Sequence, residues 1–134
     1  MADRLTYQEM LRTLGALLDA DGCALAVVRM SRQEAEITAP GWRGAQRWTA
    51  ETLQAAAGRQ RAARGLHRPP GQGPRRWGPI LRVLGAHLDT LSGSRYVLTL
   101  RPAAVLVQGG DYAQTFERTA LERRARLLPY LRGR

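Results

Sequence analysis

Apolar positions near the start of the chain follow helical spacing. Tyr7, Met10, Leu11, Leu14, Leu17 and Leu18 fall at i, i+3, i+4, i+7, i+10 and i+11, one stripe of an amphipathic helix. Thr6, with Glu9 three residues later, reads as a capping box in front of it, and Asp19 to Gly22 ends it. Cys23 to Met30 is a short apolar run containing the β-branched pair Val27-Val28, as in a buried strand. Ser31 to Gln33 reads as a tight turn. In Glu34 to Ala39 the residues Ala35, Ile37 and Ala39 alternate with Glu34, Glu36 and Thr38, which predicts a half-exposed strand with its carboxylates outward. Pro40-Gly41 breaks it, and Ala45 to Trp48 is a third short strand. Thr49 is the N-cap of a second helix, which runs through Leu53 to about Ala63.

The pattern then recurs. Trp77, Ile80, Leu81, Leu84 and Leu88 form the stripe of a helix that carries Pro79 in its first turn and continues to about Leu91. Arg95 to Arg101 alternates cleanly, with Tyr96, Leu98 and Leu100 on one face and Arg95, Val97, Thr99 and Arg101 on the other. Pro102 turns the chain, Ala104 to Gln108 returns as a partner strand, and Gly109-Gly110 takes the role of Pro40-Gly41. The last helix is expected from about Phe116 to Leu128, with Pro129 stopping or kinking it before a short tail, Tyr130 to Arg134.

The recurrence extends to identity. Leu11 to Asp19 reads LRTLGALLD and Leu81 to Asp89 reads LRVLGAHLD, seven identities in nine positions at a constant offset of 70. Tyr7 and Met10 correspond in character to Trp77 and Ile80; Trp48 and Leu53 align with Phe116 and Leu121 at an offset of 68. The reading is an α+β protein built by tandem duplication of an α-β-β-(β)-α unit, residues 1–66 and 77–134, with a Pro/Gly/Arg linker at 67–76. Each unit is too small to be more than marginally stable alone, so the two are expected to share one core, related by a pseudo-twofold axis, with helices on an antiparallel sheet. Such a sheet predicts a cross-strand contact of Glu34 and Glu36 with Arg95 and Arg101.

Composition adds a charge argument. All 21 basic residues are arginine, against 11 acids, a net charge of +10. The absence of lysine and asparagine is what a GC-rich bacterial genome produces, but codon bias does not account for the excess over acids. That excess favours anionic partners. Arg59, Arg61, Arg64, Arg68, Arg75 and Arg76 lie within eighteen residues, with no acid between Glu51 and Asp89. Arg118, Arg123, Arg124, Arg126, Arg132 and Arg134 load the C-terminal helix and tail. Guanidinium groups fork phosphate oxygens, so these arginines are candidate nucleic-acid contacts, unless they form an ordinary solvated helix face. Trp48 and Trp77 hold repeat positions filled by Phe116 and Tyr7 and are assigned to the core; Trp42 has no counterpart and is the surface candidate for base stacking.

No catalytic arrangement stands out. Cys23 is read as a small buried hydrophobe, and His67 and His87 have no ligand-spaced partners, so no metal site and no cofactor are expected. Asp19 and Asp89 sit at helix C-termini, where a negative charge is unfavourable; their repetition suggests turn or capping roles. No apolar run reaches membrane-span length, and the start of the chain has no signal-like apolar core, so a cytoplasmic location is expected. In element order and length each unit resembles the double-stranded-RNA-binding domain. TAETLQAAAG (49–58) and FERTALERRA (116–125) do not match the basic, glycine- and lysine-rich start of that family's second helix, and the chain is not assigned to it. The function expected is a non-enzymatic basic module that contacts nucleic-acid phosphates through Arg59, Arg61, Arg64, Arg68, Arg75, Arg76, Arg123 and Arg124, with Trp42. The alternative is a structural or protein-interaction module that binds an acidic protein or a second copy of itself.

Overall fold

The computed structural model describes residues 6–64, 77–91 and 93–132, and the side chains of all of these except 60–64 and 126–132. The linker at 67–76 lies outside the described residues. Among them the fold is α+β, four helices and a six-stranded antiparallel sheet. The element order is α1 (Tyr7–Ala20), β1 (Ala26–Ser31), β2 (Glu34–Thr38), β3 (Gln46–Thr49), α2 (Ala50–Arg64), α3 (Trp77–Asp89), β4 (Arg95–Leu100), β5 (Ala104–Gly109), β6 (Tyr112–Glu117) and α4 (Arg118–Arg132). The sheet order is β3-β2-β1-β4-β5-β6. The two halves of the chain therefore meet at the β1–β4 ladder, where Val28 lies opposite Leu98.

Alternation in the strands decides which face is covered. Ala26, Val28, Met30, Ala35, Ile37, Tyr96, Leu98, Leu100, Val105 and Val107 are buried under the helices. Their neighbours Val27, Arg29, Glu34, Glu36, Arg95, Val97 and Thr99 lie on the opposite face, which no described helix covers. Helices α1 and α3 contribute the other half of the core through Tyr7, Met10, Leu11, Leu14 and Leu18, and through Trp77, Ile80, Leu81, Val83, Leu84 and Leu88. Each such side chain contributes roughly 1.5–3 kcal/mol of gross apolar stabilisation.

What sets the register of this core is polar. α1 and α3 run antiparallel, and each ends beside the start of the other. Asp19, at the end of α1, accepts the backbone N–H groups of Trp77 (2.6 Å) and Gly78 (3.0 Å) at the start of α3. Asp89, at the end of α3, accepts those of Tyr7 (2.9 Å) and Gln8 (3.1 Å) at the start of α1. A carboxylate at a helix C-terminus is unfavourable for its own helix, but here it satisfies orphan donors at the positive end of the neighbour. Thr6 adds a local cap, its hydroxyl accepting Glu9 N–H at 3.1 Å, while Glu9 pairs with Arg12 rather than reaching back.

Two glycines permit the approach. A Cβ on Gly15 would lie 2.7 Å from the Trp77 carbonyl carbon and 2.8 Å from Gly78 Cα. One on Gly85 would lie 2.7 Å from Gln8 Cα and from the Tyr7 carbonyl carbon. Each glycine thus admits the first turn of the opposite helix. The repeated LRxLGAxLD segment is therefore an interface motif: its leucines fill the core, its glycine lets the helices touch, and its aspartate caps the partner.

Several boundaries differ from the sequence reading. Phe116 belongs to β6, not to the last helix, which starts at Arg118. The stretch 112–117 is mostly exposed on both faces, so its period-two pattern carries little apolar contrast. Helix α4 continues through Pro129 to Arg132, so the proline does not stop it. The expected pairing of Glu34 and Glu36 with Arg95 and Arg101 across adjacent strands is not formed, because β1 lies between β2 and β4. Glu36 is instead opposite Arg29 on one side and Arg47 on the other, with Arg47 Nε 3.8 Å from its carboxylate.

Asp19→Ala and Asp89→Ala should each lower unfolding stability by about 1–2 kcal/mol in urea titrations, the range for removal of an N-cap. Asp→Asn, which keeps an acceptor oxygen, should cost less. Gly15→Ala and Gly85→Ala should destabilise by about 1–3 kcal/mol through backbone displacement, despite the better helix propensity of alanine. Gly58→Ala in α2, where an added Cβ meets nothing within 4 Å, should instead stabilise by about 0.5–1 kcal/mol.

Candidate nucleic-acid interface

The outer helices α2 and α4 carry the described arginine candidates. Thr49 caps α2 as its hydroxyl accepts the Thr52 N–H at 3.2 Å. Leu53, Ala56 and Ala57 turn inward and Arg59 is exposed. α2 packs against α1 and the β3 edge. In α4, Leu121 turns inward while Arg123 and Arg124 are exposed, and the helix packs against α3 and the β6 edge. The two outer helices thus share the helix-covered side of the sheet but flank it at opposite edges. With neighbouring helix axes about 8–10 Å apart, roughly 25–30 Å separates them.

The remaining candidates divide by position. Arg61 and Arg64 lie within α2, with side chains outside the described set. Arg68, Arg75 and Arg76 fall outside the described residues. Trp42, in the β2–β3 connection, is half-buried and packs against the core. Trp77 is in the core, its Nε1 donating to the Cys23 carbonyl at 2.9 Å. Trp48 is half-buried on the helix-facing side.

Arg118 differs from the other arginines of α4. It is buried, its guanidinium lies 4.4 Å from the centre of the Trp77 ring, and its Nε meets the Glu122 carboxylate at 3.1 Å. This side chain fastens α4 to α3 and is not offered to a ligand. A similar contact occurs at the other end, where Arg32 lies 4.4 Å over Tyr7 and 3.4 Å from Asp89.

The distribution of charge is uneven along the chain. Residues 59–76 and 118–134 hold twelve of the 21 arginines and one of the 11 acids, Glu122. The rest has nine arginines against ten acids, close to neutrality, so the whole excess resides on the outer helices, the connecting segment and the tail. The open face of the sheet is mixed. Sequence reasoning did not single out Arg29, Arg47 and Arg95, which border a shallow depression of about 350 Å³ together with Ser31, Glu34 and Glu36. Their convergence follows from strand order and is not visible in a linear pattern. No described residue of that face is aromatic: Trp48, Tyr96, Tyr112 and Phe116 all fall on the helix side of their strands.

His87, on α3, has a described neighbour that the linear pattern did not identify. Its ring meets Tyr112 Oη at 3.4 Å and lies edge-on to Phe116. Burial pushes the Tyr112 phenol above its ordinary range, with nearby Tyr96 adding to the shift. Burial likewise raises the Cys23 thiol, with Asp21 adding to it. Among the described residues no group of three His, Cys, Asp or Glu could hold a metal ion. No described helix is long and apolar enough to cross a membrane. Comparison with protein-family models, with curated proteins and with solved structures finds no match.

Replacing Arg118 by alanine should cost about 1–2 kcal/mol of stability, because it removes ring contact and buried aliphatic packing together. Arg123→Ala and Arg124→Ala, exposed one turn further on, should change stability by less than about 0.5 kcal/mol. Parallel thermal and urea unfolding of the three variants makes the comparison.

Proposed function

We propose that this protein is a non-enzymatic binding module that grips the phosphate backbone of a nucleic acid with the arginines of α2, the connecting segment and α4. The observation that carries this reading is the partition of charge: the excess is confined to the outer segments while the remainder is balanced. Codon bias alone would spread arginine without regard to acids. Exposed Arg59, Arg123 and Arg124 lie on the two flanks of one side of the molecule, a spacing suited to an extended polyanion lying across the helix layer. The burial of Trp77 and the half-burial of Trp42 and Trp48 against the core argue for backbone contact over base stacking.

The repeated segment is consistent with the same reading. We infer that the halves descend from one copied α-β-β-β-α unit and are related by a pseudo-twofold axis. The constant offset of 70, the exchanged roles of Asp19 and Asp89 and the matching roles of Gly15 and Gly85 support this. A symmetric scaffold places a basic outer helix at each edge. A second reading, a protein-interaction module, is favoured by the uncovered sheet face.

Binding of a fluorescein-labelled 20-nucleotide duplex, read by anisotropy, tests the proposal. Log Kd should depend linearly on log salt, and the combined Arg59→Ala, Arg123→Ala and Arg124→Ala variant should lower the slope by roughly 0.9 for each phosphate it no longer neutralises. Absence of binding at about 50 mM salt, or binding unchanged between about 50 and 300 mM, would contradict it.

A further inference from the structure

The two edges of the sheet are unequal. β3 is four residues long and carries Arg47, held by Glu36 on the open face. Short length and an edge charge both discourage strand addition. β6 is six residues, Tyr-Ala-Gln-Thr-Phe-Glu, with no proline, no basic residue and a single acid at its end. No described strand pairs with its outer side.

The hairpin sets which groups point outward. The two-residue turn Gly110-Asp111, with Gly110 at φ +58°, closes on the Gly109/Tyr112 pair. Ladder bonds to β5 then come from Tyr112, Gln114 and Phe116. Arg118 N–H bonding the Ala103 carbonyl at 2.9 Å keeps the same parity. The N–H and C=O groups of Ala113, Thr115 and Glu117 therefore face away from the sheet. Tyr112 and Phe116 face the helix layer but are only half-buried, and Gln114 between them is exposed.

We propose that β6 is a self-association edge: it pairs antiparallel with β6 of a second copy of this chain, about a twofold axis through Gln114. In that register Ala113 meets Thr115 of the other copy through outward-facing backbone groups. Tyr112 meets Phe116, Gln114 meets Gln114, and the same face stays turned to the helices throughout. Aromatic cross-strand pairs form on both sides of the axis, on the side that the helices leave incompletely covered. Glu117 falls opposite Asp111 in the other copy's turn, so one pair of exposed acids lies at each end of the seam, beyond the strand pairing, where high salt screens their repulsion. A register one residue away would invert the faces. The inference stands independently of nucleic-acid binding.

Sedimentation velocity on nuclease-treated protein in about 0.5 M salt, which screens charge beyond roughly 5 Å, tests it. A dimer is expected at about 100 μM, and Thr115→Pro should make it monomeric, because that N–H serves no β5 bond. A helix and sheet signal equal to wild type in circular dichroism shows that the variant folds. In a Cys23→Ala background, Gln114→Cys should give a disulfide dimer on mild oxidation and Ala113→Cys should not, since unbonded antiparallel pairs have Cα atoms about 4.5 Å apart. A monomer at about 100 μM, a dimer insensitive to Thr115→Pro, or equal crosslinking at 113 and 114 would overturn the proposal.

Discussion

The exchange of carboxylates between α1 and α3 is the constraint around which the rest is arranged. Each helix end carries an aspartate that its own dipole disfavours and its neighbour's dipole favours. Neither half of the chain can satisfy this alone. The two helices must run antiparallel, at the one offset where Asp19 reaches Trp77 and Gly78 while Asp89 reaches Tyr7 and Gln8. Burial supplies most of the stabilisation, but apolar contact is non-directional and would tolerate sliding. The carboxylates and the two glycines select the register.

That register propagates into the sheet. With α1 and α3 side by side, the first strand after each helix lies at the centre, and β1 pairs with β4 along six residues. Later strands are added outward on either side, and α2 and α4 return over the edges. The same geometry separates core from charge. Interior helices have little exposed surface, so variable charge is left to the outer helices, where the arginine excess lies.

Much of this is legible along the chain. The stripe of α1 and the alternation in β2 and β4 place core and surface correctly, because one face of each is dry and the other wet. β6 does not read as a strand for the converse reason: an edge exposed on both faces leaves weak contrast. Asp19 and Asp89 stand out through their repetition, yet their partners lie 58 and 82 residues away and depend on tertiary packing. The clustering of Arg29, Arg47 and Arg95 and the failure of the Glu34/Arg95 contact both follow from strand order, which local periodicity does not encode. Trp42 lacks a repeat counterpart and reads as surface; it is half-buried because the loop bearing it folds back on the core.

Amide hydrogen exchange at the first turns of α1 and α3 tests the central claim most directly. Amides of an uncapped first turn exchange nearly as fast as in an open chain, since they have no intrahelical acceptor. Capping across the helix pair predicts that Tyr7, Gln8, Trp77 and Gly78 are protected to the level of global unfolding, as the buried strands β1 and β4 are. Fast exchange at these four amides, with β1 and β4 still protected, would show that the aspartates do not hold the helices together.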